Sequence, residues 1–255
     1  MAPPRALAVA AHPDDIEFGC GGTVATWADA GVEVTFCIVT DGSTGTTERD
    51  AEHLADVRRD EAEGAARVLG AKEVVWLGYR DGYVEYSLGL RRDIARVFRG
   101  FRPHRFLVMD PAPVIGDWFI NHPEHQAIGR ASLDVVPAAG TTPGHFPALL
   151  EAGFEPWREL REVWLMGPRG GPIAVDISDA VERKIEALGC HRSQVGDDTE
   201  GLGEWIRKRA AEVGEEHGCR YAESFTVLSR GPGFHDNEQS DHLEGDLPPA
   251  SAEAR

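Results

Sequence analysis

The stretch VAAHPDDIEFGCGGT, at positions 9–23, joins the end of an apolar run to charged residues and a glycine cluster. Residues 5–11 are almost entirely apolar and predict a buried β-strand. His12 follows at once, and the adjacent carboxylates Asp14 and Asp15 come next. Ligands of α/β proteins bind beyond the carboxyl ends of the strands, so these polar side chains indicate a functional site.

Apolar runs and segments with helical spacing alternate along the rest of the chain. The expected strands are 5–11, 32–40, 74–78, 105–110, 162–167 and 221–229, and the expected helices are 22–30, 47–69, 88–101, 125–136, 178–188 (capped by Ser178) and 199–216. This alternation predicts an α/β fold with a Rossmann-like, doubly wound, mostly parallel sheet. We expect one domain over residues 1–230, with an irregular surface loop at 137–161. Residues 231–255 are polar and acidic, and we expect them to form a disordered tail.

Composition limits the classes of function. The formal net charge of −17, from 43 acidic and 26 basic residues, repels phosphate backbones and disfavours a nucleic-acid partner. No apolar run approaches the ~20 residues of a membrane span, and the segment before His12 is too short for a signal peptide, so we expect a cytoplasmic protein without a membrane partner. The four cysteines form no CxxC pair and fit free thiols, with two disulfides as the alternative that counting leaves open. Many sheets of this kind self-associate, so a homo-oligomer stays open.

A second polar cluster, NHPEHQAIG at 121–129, follows the fourth predicted strand and contains His122 and His125. A parallel sheet can bring this cluster next to the one that begins at His12. Two imidazoles and one carboxylate are a common ligand set for catalytic zinc, and a cation lets neighbouring carboxylates stay ionised. HPDD alone is also typical of a turn in which an aspartate caps the next helix. Two such clusters at equivalent strand ends favour a metal site.

The motifs AHPDDIEFGCGGT and HPEHQAIG resemble those of the PIG-L/LmbE-like deacetylases. The blocks RRDEAEGAARVLG, WLGYRDG and KIEALGCHRSQ extend the resemblance, in the expected order, over roughly residues 5–195. The resemblance implies an LmbE-like fold and a zinc-dependent hydrolase. The implied reaction removes an N-acyl group, N-acetyl above all, from an amino sugar or a related small molecule.

The same resemblance implies a role for each residue of the two clusters. His12, Asp15 and His125 match the zinc ligands, although His/Asp ligation also accepts Fe²⁺ and other divalent ions. Asp14 matches the general base that activates the metal-bound water, and His122 matches the cation that stabilises the oxyanion or protonates the departing amine. These roles agree with metal-assisted acyl transfer, which needs a lowered water pKa, a proton acceptor and a stabilised oxyanion.

Three further residues are candidates for substrate binding. Arg58 matches a family arginine that faces the substrate, although an ion pair with Glu61 on the same helix is the alternative. Asp81 matches another substrate contact, and a plain Asp-Gly turn competes with that interpretation. Gln194, in HRSQ with His191, lines the pocket or belongs to a polar loop.

Two departures from the family pattern affect these expectations. Glu124 stands where aspartate is more usual, which we expect to alter the orientation and pKa of His122. Ile120 stands where some thiol-sugar deacetylases carry a tyrosine that assists the oxyanion, which disfavours mycothiol or bacillithiol precursors as substrates.

A different class of function stays open. GCGGT, after the first strand, could serve as the phosphate loop of a non-catalytic or redox nucleotide-binding protein. GxGG is a weak match to the dinucleotide fingerprint GxGxxG, and this hypothesis leaves HPDD and HPEH unexplained. A two-metal phosphoesterase needs more carboxylates near the ions than these motifs supply.

Overall fold

The structure is a computed structural model that describes residues 3–45, 51–112, 114–115, 120–167 and 170–229. Its strands are β1 (Arg5–Ala10), β2 (Glu33–Thr40), β3 (Glu73–Tyr79), β4 (Arg105–Met109), β5 (Glu162–Met166), β6 (Ile173–Asp176) and β7 (Ala222–Ser229). Its α-helices are α1 (Asp15–Asp29), α2 (Ala51–Leu69), α3 (Leu88–Phe101), α4 (Pro123–Asp134), α5 (Pro147–Glu151), α6 (Val181–Gly189), α7 (Arg192–Val195) and α8 (Thr199–His217), and a π-helical turn covers Val135–Ala139. The predicted helix start at 47–50 and the predicted tail at 231–255 lie outside the described residues.

The strands form one seven-stranded sheet in the order β3-β2-β1-β4-β5-β7-β6. The five strands from β3 to β5 in this order are parallel, whereas β7 runs antiparallel to both β5 and β6. Residues 6–10 of the central strand β1 are fully buried, as a strand covered on both faces requires. The predicted α/β, mostly parallel sheet is confirmed.

The chain reverses its direction of travel across the sheet at β1. It moves outward through β2 and β3 with α1 and α2 as crossovers, then returns to the other side of β1 with β4 and β5. Right-handed crossovers therefore place α1 and α2 on one face and α3 and α4 on the other. The loops after β1 and β4 diverge at this point, which leaves a crevice at the carboxyl edge of the sheet. The two polar clusters begin at the two sides of this crevice.

The predicted helix start at Gly22 was wrong, because α1 begins seven residues earlier, at Asp15. The glycine run lies inside the helix, which is kinked at Cys20, where φ is −153°. A Cβ at Gly22 would lie 2.7 Å from Cδ1 of Ile177, so glycine here permits close packing of α1. Tertiary contact here outweighs the low helix propensity of glycine.

The backbone amides of this glycine run are already hydrogen-bonded to a carboxylate. The amides of Gly22 and Thr23 donate to Glu223 at 3.0 and 2.7 Å, and Lys184 Nζ donates to the same carboxylate at 2.5 Å. A phosphate loop instead offers free amides at a helix N-terminus. The nucleotide-binding alternative therefore loses its support from the glycine motif.

Two other local predictions differ from the structure. Ser178 does not cap a helix, because α6 begins at Val181 and Ser178 Oγ donates to Asp176 Oδ1 at 2.6 Å. The segment 137–161 is not simply a surface loop, since it includes α5 and part of the π-helical turn. The buried guanidinium of Arg99 donates to the carbonyls of Ala139, Thr142 and His145 and so anchors this segment to α3.

Two broader expectations concern thiols and membranes. All four cysteines are free, as expected from their spacing. Within the described ranges, no helix combines the length and the apolar character needed to cross a bilayer.

Gly129 sets how closely α4 approaches β4, because a Cβ there would lie 2.4 Å from the Met109 carbonyl oxygen. We expect Gly129→Ala to lower the free energy of unfolding by about 1–3 kcal/mol, since the backbone must move to relieve the clash. Urea denaturation of the purified variant measures this change. Gly144→Ala is the matched control, because a Cβ at Gly144 meets no atom within 4 Å. Equal unfolding free energies for the two variants would contradict the tight contact.

Candidate metal centre

The first half of the site is the turn that joins β1 to α1. The Asp15 carboxylate accepts a hydrogen bond from the His12 amide at 2.7 Å and stands at the first position of α1. The helix N-terminus stabilises this negative charge. Asp14 precedes it with φ of 114°, in the left-handed region that aspartate and asparagine tolerate better than most residues. The turn thus gives each of the two adjacent aspartates a separate environment.

The second half of the site is the N-terminus of α4, which begins at Pro123. It brings His125 to the side chains that follow β1. Nε2 of His125 lies 3.2 Å from Nδ1 of His12 and 3.3 Å from Oδ1 of Asp15, and Nδ1 of His12 lies 3.3 Å from Oδ2 of Asp15. We call His12, Asp15 and His125 the ligand cluster. The structure therefore brings together the three residues that the sequence predicted as metal ligands.

The spacing of the ligand cluster fits a divalent ion. Bonds of about 2.0–2.1 Å to a tetrahedral zinc place neighbouring ligand atoms roughly 3.3 Å apart. The two imidazole nitrogens are 3.2 Å apart, and each lies 3.3 Å from one oxygen of the Asp15 carboxylate, His12 Nδ1 from Oδ2 and His125 Nε2 from Oδ1, so all three separations are close to that value. Two imidazoles and one carboxylate also leave one tetrahedral position open, as catalytic zinc sites do.

His12, His122 and Glu124 form an overlapping group that could also hold an ion. This group uses the other nitrogen of the His12 ring, Nε2, which lies 3.0 Å from Oε2 of Glu124. The same carboxylate oxygen lies 3.5 Å from Nδ1 of His122, a side chain that is 56% exposed. No side chain of the ligand cluster is more than 23% exposed, whereas His122 is 56% exposed, so the ligand cluster is the stronger candidate for the metal site.

Charge around His12 also favours a cation. Burial alone would lower the pKa of His12, but hydrogen bonds to three carboxylates outweigh it and raise this pKa to about 12. These carboxylates belong to Asp15, Asp81 and Glu124. Burial also opposes ionisation of Asp15, yet the imidazoles of His125 and His12 hold its pKa well below the usual range. Negative charge of this density in a partly buried pocket is what a divalent ion neutralises.

Asp14 has the properties of a proton acceptor. Burial and repulsion from Asp15 raise the pKa of Asp14 to about 7, although Arg58 opposes the shift. A carboxyl group whose pKa is near neutrality can both accept and return a proton. Asp14 lies outside the ligand cluster, next to one of its members in the sequence.

Arg58 is buried and supports the turn that carries Asp14. Its Nη2 donates to the Pro13 carbonyl at 2.6 Å and to Asp14 Oδ2 at 3.2 Å, and its Nη1 donates to the Gly42 carbonyl at 3.1 Å. The alternative ion pair with Glu61 is not formed, because the Glu61 carboxylate accepts hydrogen bonds from Ser193 instead.

The other two residues predicted to bind substrate, Asp81 and Gln194, lie at different distances from the ligand cluster. Oδ1 of Asp81 lies 3.1 Å from Nε2 of His12, and its Oδ2 accepts from the Thr44 amide at 3.0 Å, so Asp81 is part of the inner site. Gln194 lies further out and donates to the Gly45 carbonyl at 3.3 Å. Substrate contact by Arg58, Asp81 and Gln194 stays a prediction.

The chain matches the family model described as GlcNAc-PI de-N-acetylase (PIG-L) over residues 7–136. The chain belongs to the PIG-L family. It is similar to a diacetylchitobiose deacetylase from Thermococcus kodakarensis, with 34% identity over 88% of this chain and 83% of that protein. It is also similar to a 1D-myo-inositol 2-acetamido-2-deoxy-alpha-D-glucopyranoside deacetylase from Nakamurella multipartita, with 28% identity over 76% of this chain and 80% of the relative.

A solved structure agrees with this PIG-L membership. The N,N'-diacetylchitobiose deacetylase from Pyrococcus horikoshii, complexed with its inhibitor MPG, has a TM-score of 0.81 to this chain and 34% identity, and the match covers 88% of this chain and 84% of that one. The resemblance to PIG-L/LmbE-like deacetylases and the fold that it implied are confirmed. The PIG-L match contains both halves of the site, whereas Gln194 lies beyond it.

Sequence reasoning missed two features of this PIG-L site. Glu124 is 2% exposed and contacts His12, whereas its only expected effect was on His122. His191, expected at a pocket wall or in a polar loop, is fully buried with Nε2 3.4 Å from Oε1 of Glu17. Glu17 lies in the first turn of α1. Its position in the sequence does not indicate that it contacts His191, which is far away along the chain.

Proposed function

We propose that this protein is a metal-dependent deacetylase that hydrolyses the N-acetyl group of an amino sugar or a related small molecule. Membership of the PIG-L family and the similarity to deacetylases of N-acetylated sugars support this activity. The observation that carries the proposal is the convergence of the ligand cluster beside Asp14. The substrate partner is a small molecule rather than a macromolecule.

His12, Asp15 and His125 would hold the ion, with zinc as the expected metal and Fe²⁺ as an alternative. When bound, a divalent ion lowers the pKa of water and polarises the amide carbonyl. The neutral form of His12 is the one that binds a metal, and its Nε2–H has carboxylate acceptors at 3.0 and 3.1 Å.

Asp14 accepts the proton of the attacking water. Its buried carboxylate, with a pKa of about 7, is basic enough to take this proton near neutral pH. Arg58 holds the carboxylate through Oδ2 at 3.2 Å and holds the preceding carbonyl at 2.6 Å. Arg58 thereby orients Asp14, and its contact with the substrate is part of the proposal.

His122 lies beside both imidazoles of the ligand cluster. Its ring centroid lies 5.1 Å from that of His12 and 5.6 Å from that of His125, and its exposed side chain can reach a bound substrate. In its protonated form, His122 stabilises the oxyanion that forms on the amide and then donates a proton to the departing amine. Asp14 and His122 together supply the base and the acid of the hydrolysis.

Amine release by the purified protein tests this proposal. The substrates are N-acetylglucosamine, N,N'-diacetylchitobiose and inositol and malate conjugates of N-acetylglucosamine, and free amine and acetate are measured together. We expect exhaustive chelation to abolish the rate and Zn²⁺ or Fe²⁺ to restore it. Undiminished hydrolysis after removal of all metal, or no amine from any substrate by the metal-loaded protein, would overturn the proposal.

A further inference from the structure

Glu124 is the most enclosed of the three carboxylates that contact His12, and both of its oxygens have partners. Oε1 accepts from the amides of Gly82 and Val84 at 3.0 and 3.1 Å, and Oε2 lies 3.0 Å from Nε2 of His12. Glu124 therefore joins α4, the loop after β3 and the turn after β1. Its two oxygens act separately, one on the backbone and one on the imidazole.

The contact with His12 determines which ring nitrogen carries the proton. An ionised carboxylate only accepts hydrogen bonds, so the Nε2 that faces Glu124 must carry a hydrogen. Asp81 Oδ1, at 3.1 Å from the same nitrogen, imposes the same condition. In the neutral ring, Nδ1 is then the free acceptor, and Nδ1 is the atom that lies in the ligand cluster.

The contact with His122 is weaker. Glu124 Oε2 lies 3.5 Å from Nδ1 of His122, beyond ordinary hydrogen-bond range, and His122 is mostly exposed. The shorter contact of this oxygen, at 3.0 Å, is with His12. Glu124, which the sequence predicted to affect His122, therefore acts chiefly on His12.

We infer that Glu124 is a positioning residue, which holds His12 in the tautomer and orientation that direct Nδ1 toward the metal. This inference rests on the proposed metal-dependent function. An outer carboxylate of this kind raises the basicity of the ligating imidazole and fixes its ring. The bonds to the Gly82 and Val84 amides hold the Glu124 carboxylate itself in place.

Glu124→Gln is the sharpest test, because it keeps the side-chain length. The carboxamide oxygen can still accept from Gly82 and Val84, but its NH₂ group then faces His12 and favours a proton on Nδ1, where the metal should bind. We expect the zinc dissociation constant, measured by competition with a chromophoric chelator, to rise about 10–100-fold. Asp81 retains part of the tautomer control, so binding is weakened rather than abolished. Glu182→Gln, at an exposed ion pair with Arg207, is the matched control with unchanged affinity.

Two further measurements separate this role from others. The Co²⁺ absorption spectrum of saturated Glu124→Gln should match that of the wild type, because the ligand cluster is intact. A changed spectrum together with loss of metal in His122→Ala would make Glu124 a ligand and overturn the inference. Wild-type zinc affinity in Glu124→Gln would also overturn it, even if the metal-free variant melts at a lower temperature. A wild-type protein that binds no metal would instead refute the proposed function.

Discussion

Asp14→Asn is expected to lower kcat for amine release by about 10²–10⁴-fold, the usual contribution of a positioned general base. Asparagine cannot accept the proton of the attacking water, whereas the buried Asp14 carboxyl, with a pKa of about 7, can. The metal content should stay that of the wild type, because Asp14 lies outside the ligand cluster. Steady-state amine release and metal analysis by mass spectrometry on the same preparation measure the two quantities.

Asparagine is preferable to alanine at position 14 for a backbone reason. The φ angle of 114° is one that asparagine and aspartate adopt several-fold more often than other non-glycine residues. The carboxamide oxygen that Asp14→Asn introduces can also still accept from Arg58, while repulsion between the carboxylates of Asp14 and Asp15 is removed. We therefore expect a free energy of unfolding no lower than that of the wild type. A variant with wild-type kcat would refute the assignment of the base, and a destabilised variant would give Asp14 a structural role.

The convergence of the two polar clusters could be predicted from the sequence because each lies between a strand and the helix that follows it. His12 and Asp15 follow β1, and His125 lies in the first turn of α4, the helix after β4. Strand alternation predicts a parallel sheet, and the carboxyl ends of parallel strands share one edge. Alternation alone does not say where the strand order reverses; the structure places this reversal at β1, which makes the two loops neighbours.

The features that the sequence did not predict are contacts between side chains and backbone of elements that lie far apart in the sequence. Glu124 looks like an ordinary first-turn carboxylate of α4, and only the packing of the loop after β3 reveals its buried contacts. The glycine run of α1 has the composition of a loop, and only Ile177 and Glu223 show why it is helical. The strand β6 has four residues, and its pairing with β7 is antiparallel, so the alternation of the preceding elements did not predict it.

His125→Ala should remove both the metal and the activity, which distinguishes it from Asp14→Asn. Its Nε2 lies 3.2–3.3 Å from both other members of the ligand cluster, so its loss leaves only two ligands, His12 and Asp15. We expect a loss of zinc affinity greater than the about 10–100-fold typical of an outer carboxylate, and near-zero metal in the purified variant.

His145→Ala is the matched control for His125→Ala, because His145 is exposed and Arg99 binds its backbone carbonyl, which the substitution keeps. The control should retain metal and kcat. Stoichiometric zinc with wild-type affinity in His125→Ala would show that the ion lies elsewhere. If His125→Ala loses metal and rate together while Asp14→Asn loses the rate alone, then binding of the ion and proton transfer belong to different residues. The turn that gives Asp14 a φ of 114° would then explain how two adjacent aspartates serve different roles.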